Sequence, residues 1–126
     1  MVKKKILIID DEKDLCRFVK KNLELTGIFE VDIATNGIDG IIKAQKVMPD
    51  LILLDVMMPV MDGIETLKRL RKDKDIFKIP VIMLTAVGYG PFKSRALELY
   101  ADSYVTKPIG GPELKLKIEE VLKKEN

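Results

Sequence analysis

Two kinds of apolar pattern alternate along the chain. The first is short and unbroken: Ile6-Leu7-Ile8-Ile9, Leu51-Ile52-Leu53-Leu54 and Val81-Ile82-Met83-Leu84 contain no polar position. Such runs predict strands buried on both faces. Residues 30–35 alternate instead, with Val31 and Ile33 on one side, and predict a shorter edge strand. Ser103–Thr106 predicts a fifth strand. The second pattern repeats at helical spacing. Asp10-Asp11-Glu12 opens a first helix with Leu15, Phe18, Val19 and Leu23 as its inner face and Gly27 just past its end. After an Asn36-Gly37 turn, Ile38, Ile41, Ile42 and Ala44 mark a second helix that stops at Met48-Pro49. Asp62-Gly63 starts a third over residues 63–72, with Ile64, Leu67 and Leu70 on one side. A fourth is expected over residues 92–100, and a fifth over 113–124, its stripe being Leu114, Ile118, Val121 and Leu122. Strands alternating with helices predict an α/β domain built on a parallel sheet, one domain over residues 1–126.

The polar residues at the strand ends change the picture from fold to chemistry. In an open parallel sheet, ligands bind beyond the carboxyl ends of the strands, where strand order reverses. The predicted strands end at Asp10 and Asp11, at Asp55, at Thr85 and at Lys107. Each alone has an ordinary reading: an acidic helix start, a turn-forming Asp, a capping Thr, a surface Lys. Gathered on one edge, the three carboxylates repel one another unless a cation sits among them. Oxygen-only ligands select a hard ion, Mg²⁺ by preference. A Lys and a Thr hydroxyl beside it form a cradle for phosphoryl oxygens. Asp55 is then the natural nucleophile, because an aspartyl carboxylate can carry a covalent phosphoryl group.

Composition narrows the chemistry further. The chain has 126 residues, 47% hydrophobic and 33% charged, enough for one real core. It contains no histidine, which removes His-based triads, His general bases and His metal sites. Its one cysteine, Cys16, excludes an internal disulfide and fits a cytoplasmic location. A net charge of +2 with dispersed lysines argues against direct nucleic-acid binding. No apolar run reaches membrane-spanning length, and Lys3-Lys4-Lys5 precedes only a strand.

Four motifs in this order resemble a response-regulator receiver domain over essentially the whole chain: Asp10-Asp11-Glu12; Leu54-Asp55-Val56-Met57-Met58-Pro59 with Asp62-Gly63; Leu84-Thr85-Ala86; and Tyr104-Val105-Thr106-Lys107-Pro108. The resemblance, closest to single-domain, chemotaxis-regulator-like forms, implies a flavodoxin-like (βα)5 three-layer sandwich with sheet order 2-1-3-4-5. It implies that Asp55 accepts a phosphoryl group from the phosphohistidine of a histidine kinase or a histidine phosphotransfer protein. Asp11, Asp55 and the Met57 carbonyl would hold Mg²⁺, with Asp10 acting through water. Thr85 and Lys107 would each bind a phosphoryl oxygen, and the Lys107-Pro108 bond would be cis. Thr85 and the Tyr104 ring would then move inward, reshaping the surface of the fourth helix, fifth strand and fifth helix for a downstream protein partner. On this reading the chain is a switch that catalyses only its own phosphorylation and dephosphorylation.

Departures from the family pattern add expectations. Tyr100 precedes Ala101 where the family usually has Gly, so the fourth helix must end differently or accept strain. Gly88, Tyr89, Gly90 and Pro91 suggest a mobile approach to that helix. Ile109-Gly110-Gly111 replaces an aromatic and a capping acid, so partner preference does not carry over. Met57 and Val87 flank the site and cannot orient an attacking water, which predicts a long-lived phosphoryl group. Met1 directly before the first strand and the charged 123–126 tail favour a complete short protein. A phosphorelay intermediate, or a receiver from a larger DNA-binding regulator or hybrid kinase, is the alternative.

Three other readings share some of these features. A flavodoxin-type electron carrier needs a hydroxyl-rich first loop, and Asp10-Asp11-Glu12 would repel its cofactor phosphate. A haloacid-dehalogenase-type phosphatase wants an acid where Met57 stands. A pseudo-receiver that only binds a partner has no need of the complete acid, Thr and Lys set.

Overall fold

The computed structural model describes residues 2–86 and 100–124. Within them run β1 (Lys4–Ile9), α1 (Lys13–Glu24), β2 (Phe29–Ala34), α2 (Gly37–Val47), β3 (Leu51–Asp55), α3 (Gly63–Lys72), β4 (Val81–Thr85), β5 (Ser103–Thr106) and α4 (Gly111–Lys124). Of the helix expected over 92–100, only Tyr100 is described. The 88–91 approach and Val87 lie outside the described residues. The strands form one parallel sheet in the order β2-β1-β3-β4-β5, which is the expected flavodoxin-like order. From β1 the chain steps to one edge at β2, then crosses back to β3. The reversal therefore opens at the carboxyl ends of β1 and β3.

Strand pleating divides the apolar runs between two layers. Ile6, Ile8, Leu51, Leu53, Ile82 and Leu84 face one side, where they meet Cys16, Val19 and Leu23 of α1 and Leu114, Ile118 and Val121 of α4. Leu7, Ile9, Ile52, Leu54, Val81 and Met83 face the other, against Ala44 of α2 and Leu67 and Leu70 of α3. With alternate side chains pointing to opposite faces, a strand covered on both sides must be apolar throughout. The burial explains the unbroken runs.

One expectation about a helix face needs correction. Phe18 is exposed, because the buried stripe of α1 runs through Cys16, Val19 and Leu23. Ile38 and Ile42 are exposed as well. The inner face of α2 is Gly37, Gly40 and Ala44. The helix lies so close to the sheet that a Cβ on Gly40 would collide with the Ile9 side chain, and one on Gly37 with Thr66 and Met61. Only small residues fit there, so the large ones are displaced to the flanks.

The helix starts follow local chemistry. Asn36, expected in a turn, caps α2 by accepting from the Asp39 N–H at 2.8 Å. Asp62 caps α3 by accepting from the Glu65 N–H at 2.9 Å. Helix α2 ends at Met48 in the left-handed region, immediately before Pro49. Gly27 lies past α1 with a φ of 81°, where glycine is favoured. The Tyr100 carbonyl accepts from Arg71 Nε at 2.8 Å. How the fourth helix approaches that point lies outside the described residues.

Candidate functional site

The sheet brings all the predicted strand-end residues to one edge. Asp10 follows β1 and is fixed there by its N–H, which donates to the Ala34 carbonyl at 3.1 Å. Asp55 ends β3, and the next N–H, of Val56, donates to the Leu84 carbonyl of β4. Thr85 ends β4, and its carbonyl accepts from the Lys107 N–H at 2.7 Å. Parallel register alone aligns these four ends. The Lys107-Pro108 peptide bond is cis, as the resemblance implied.

One carboxylate oxygen each from Asp10, Asp11 and Asp55 lies within 4.8 Å of the others. Asp10 is wholly buried and Asp55 nearly so, while Asp11 faces solvent. The Lys107 ammonium reaches over from beyond β5. Its Nζ stands 2.9 Å from Asp10 Oδ2, 2.7 Å from Glu12 Oε1 and 3.3 Å from Asp55 Oδ1. Asp10 Oδ2 is buried without an aligned hydrogen bond, so the nearby ammonium neutralises it by charge rather than by a directed bond. Its other oxygen accepts from the Glu12 N–H at 2.9 Å. The Met57 N–H points to Asp55 Oδ1 at 3.4 Å, while the Met57 side chain lies in solvent.

Burial pushes the Asp55 carboxyl up to about 7. The neighbouring Asp10 adds to this, and Lys107 and the Met57 N–H oppose it. Burial alone would lower the Lys107 ammonium; the Glu12 and Asp10 carboxylates outweigh it and hold Lys107 above the usual lysine range. Cys16 lies beneath the acids with its thiol donating to the Asp10 carbonyl at 3.3 Å. Burial, reinforced by Asp10, raises that thiol to about 12, so it is inert as a nucleophile at neutral pH.

Lys107 touches three carboxylates (Asp10, Glu12 and Asp55) and Asp11 lies beside two of them, so negative charge is in excess around one ammonium. The buried Asp10 Oδ2, with the Lys107 ammonium beside it but no aligned hydrogen bond, and the oxygen-only donor set fit a hard divalent ion.

Thr85 is buried, and its hydroxyl donates to the Val105 carbonyl across the β4–β5 pair. At 3.4 Å this bond is long for a hydroxyl, so it restrains the side chain weakly. Tyr104 is 40% exposed; its ring points outward and is not part of the core.

Two residues of the site escaped the sequence reading. Glu12 lay inside a quoted motif but received no role until its contact with Lys107, 95 positions away, was visible. Gly63 was read only as a helix start. Its N–H donates to the Val56 carbonyl at 2.8 Å, and any side chain would strike the Asp55 backbone carbonyl. The Asp62-Gly63 pair signalled the turn but not the close approach.

Comparison with known proteins agrees with this geometry. A family model described as the response regulator receiver domain matches residues 6–119. The alkaline phosphatase synthesis transcriptional regulatory protein PhoP of Bacillus subtilis is 42% identical over 121 residues, covering 96% of this chain and 49% of PhoP. The phosphate regulon transcriptional regulatory protein PhoB of Rhizobium meliloti is 40% identical over 120 residues, 95% of this chain and 52% of PhoB. The chain thus spans about half the length of the curated relatives it matches. Among solved structures, the Vibrio cholerae chemotaxis protein CheY4 superposes with a TM-score of 0.87 at 30% identity, covering 95% of this chain and 99% of that one.

Proposed function

The chain belongs to the response regulator receiver domain family of two-component systems, and from that premise we propose that Asp55 is its phosphoacceptor. The donor is the phosphohistidine of a histidine kinase or a histidine phosphotransfer protein. A carboxylate oxygen of Asp55 attacks phosphorus, the P–N bond breaks, and its electron pair returns to the imidazole nitrogen. The Lys107 ammonium, 3.3 Å from Asp55 Oδ1 with Asp10 and Asp11 alongside, is the observation that carries this reading. A cation so placed orients the acceptor and offsets charge on the incoming phosphoryl oxygens. Burial keeps water from the acceptor, which lies 4% exposed.

Asp11, Asp55 and the Met57 carbonyl would hold Mg²⁺, with Asp10 acting through water. When bound, the ion offsets negative charge on the acceptor and on the transferred group. Asp10 also keeps Lys107 anchored at the site through their 2.9 Å pair.

Once phosphorylated, Asp55 carries roughly −1.5 to −2 charges and three strong acceptor oxygens. Thr85 leaves its long bond to Val105 and donates to one of these oxygens; Lys107 pairs with another. The exposed Tyr104 ring follows inward, and the face built around β5 and α4 changes shape for a protein partner. The weak 3.4 Å restraint on Thr85 supports this motion. The chain is a switch, catalysing only its own phosphorylation and dephosphorylation, and it acts in the cytoplasm. Among the described residues no helix is long and apolar enough to cross a membrane.

The relatives' length favours a second output. PhoP and PhoB are transcriptional regulators about twice as long as this chain, so the same switch face would in such a setting control an attached DNA-binding unit. The primary test is intact mass after incubation with Mg²⁺ and a small acyl phosphate. The wild type should gain one phosphoryl group and Asp55→Asn none; an equal adduct in the variant would overturn the assignment.

A further inference from the structure

Glu12 sits at the N-cap of α1, yet its side chain makes no capping hydrogen bond. That position favours a side chain short enough to accept from the first helical N–H groups. Here the longer carboxylate turns away and reaches Lys107 Nζ at 2.7 Å, the shortest of the three ammonium contacts. The longest, 3.3 Å, is to the acceptor Asp55. An ammonium has three donors, and Glu12 is the one partner that lies outside the Asp10, Asp11 and Asp55 cluster. Its backbone is also fixed to that cluster, since its N–H donates to Asp10 Oδ1.

We propose that Glu12 is a positioning residue that draws the Lys107 ammonium away from Asp55, leaving the acceptor carboxylate free for a divalent cation. This rests on the reading of Asp10, Asp11 and Asp55 as an Mg²⁺ site. Without the Glu12 carboxylate, Lys107 settles between Asp10 and Asp55. A fixed positive charge there competes directly with the metal for the same oxygens. When a phosphoryl group arrives, the ammonium passes from Glu12 to a phosphoryl oxygen. Glu12 is 61% exposed at its side chain, so its hold is loose enough for this exchange.

Reach, not charge alone, is the essential property, and that separates the proposal from a general electrostatic effect. Glu12→Asp keeps the charge, shortens the side chain by one methylene and supplies a better helix cap. The measurement is Mg²⁺ affinity by titration calorimetry on metal-free protein, beside its Tm without metal. Glu12→Gln and Glu12→Asp should each bind Mg²⁺ about fivefold more weakly than wild type, the scale of one exposed ion pair. In a Lys107→Met background, Glu12→Gln should change affinity by less than about twofold, since coupled residues lose their mutual effect when one is removed. Glu12→Asp should keep or raise the metal-free Tm. Wild-type affinity in Glu12→Asp, or the same Glu12→Gln loss with and without Lys107, would overturn the proposal. A lower Tm with unchanged Mg²⁺ affinity would give Glu12 a purely structural role and overturn it as well. Failure of the wild type to bind Mg²⁺ would instead sink the metal-site reading on which it rests.

Discussion

At the scale of single residues, the site stores unfavourable charge. The Asp55 carboxyl loses its proton near 3.8 in the unfolded chain but only near 7 in the folded one, first because it is buried and then because Asp10 is close. A raised acid destabilises the folded state progressively as pH climbs between those two values, and fully above the higher one. Metal-free Asp55→Asn should therefore be more stable than wild type at pH 8, by up to about 4 kcal/mol, with the gain fading towards pH 4. Urea melts at both pH values check this; a constant difference would show that charge is not its origin. Val60 is a second strained point. Its φ is 69° and its side chain is fully exposed. A left-handed backbone costs a β-branched residue roughly 1–2 kcal/mol, and no packing compensates here. Val60→Gly should raise the urea midpoint by about 1 kcal/mol in stability without changing the slope.

At the scale of elements, one arginine ties the far end of the sheet together. Arg71, in the last turn of α3, donates to the carbonyls of Tyr100, Phe77 and Ile79 and to Asp102 Oδ2. Asp102 also accepts from the Val81 N–H at the start of β4. The planar guanidinium satisfies four groups at once, which a lysine's single ammonium cannot do. Arg71→Lys should cost about 1–3 kcal/mol, read as a lower Tm with phosphorylation of Asp55 retained. This clamp was not legible in the sequence, because Arg71 lies among other charges on a helix surface and its partners sit up to 31 positions away. Legibility was also partial for α2. Helical spacing located the apolar residues, but the close approach of the helix to Ile9 decided that Gly40 and Ala44, not Ile38 and Ile42, face inward.

At the scale of the molecule, the sheet is a rigid base and the carboxyl edge is the working face. Among the described residues, the groups flanking the acceptor offer little to activate water: Met57 is apolar and projects into solvent, and Asp55 itself is nearly enclosed. The phosphoryl group should accordingly persist after excess donor is removed, well beyond the time needed for donor removal, when Mg²⁺ alone is present. Intact mass followed over time checks this, and prompt loss would show that another group orients the water.

The alternation of unbroken apolar strands with amphipathic helices was determined by the sequence, because period and burial are coupled through backbone geometry. So were the chemical identities of Asp10, Asp11, Asp55, Thr85 and Lys107 at the strand ends. Their convergence needed only parallel register, which the strand order supplies. What the tertiary structure alone decided is how the charges share one another. Distances between residues far apart in the chain settle that Lys107 lies closer to Glu12 than to Asp55, that Asp10 Oδ2 lacks an aligned partner, and that Gly63 must have no side chain. Coulomb and contact forces act through space between residues distant in the chain, so no local pattern along the chain encodes them.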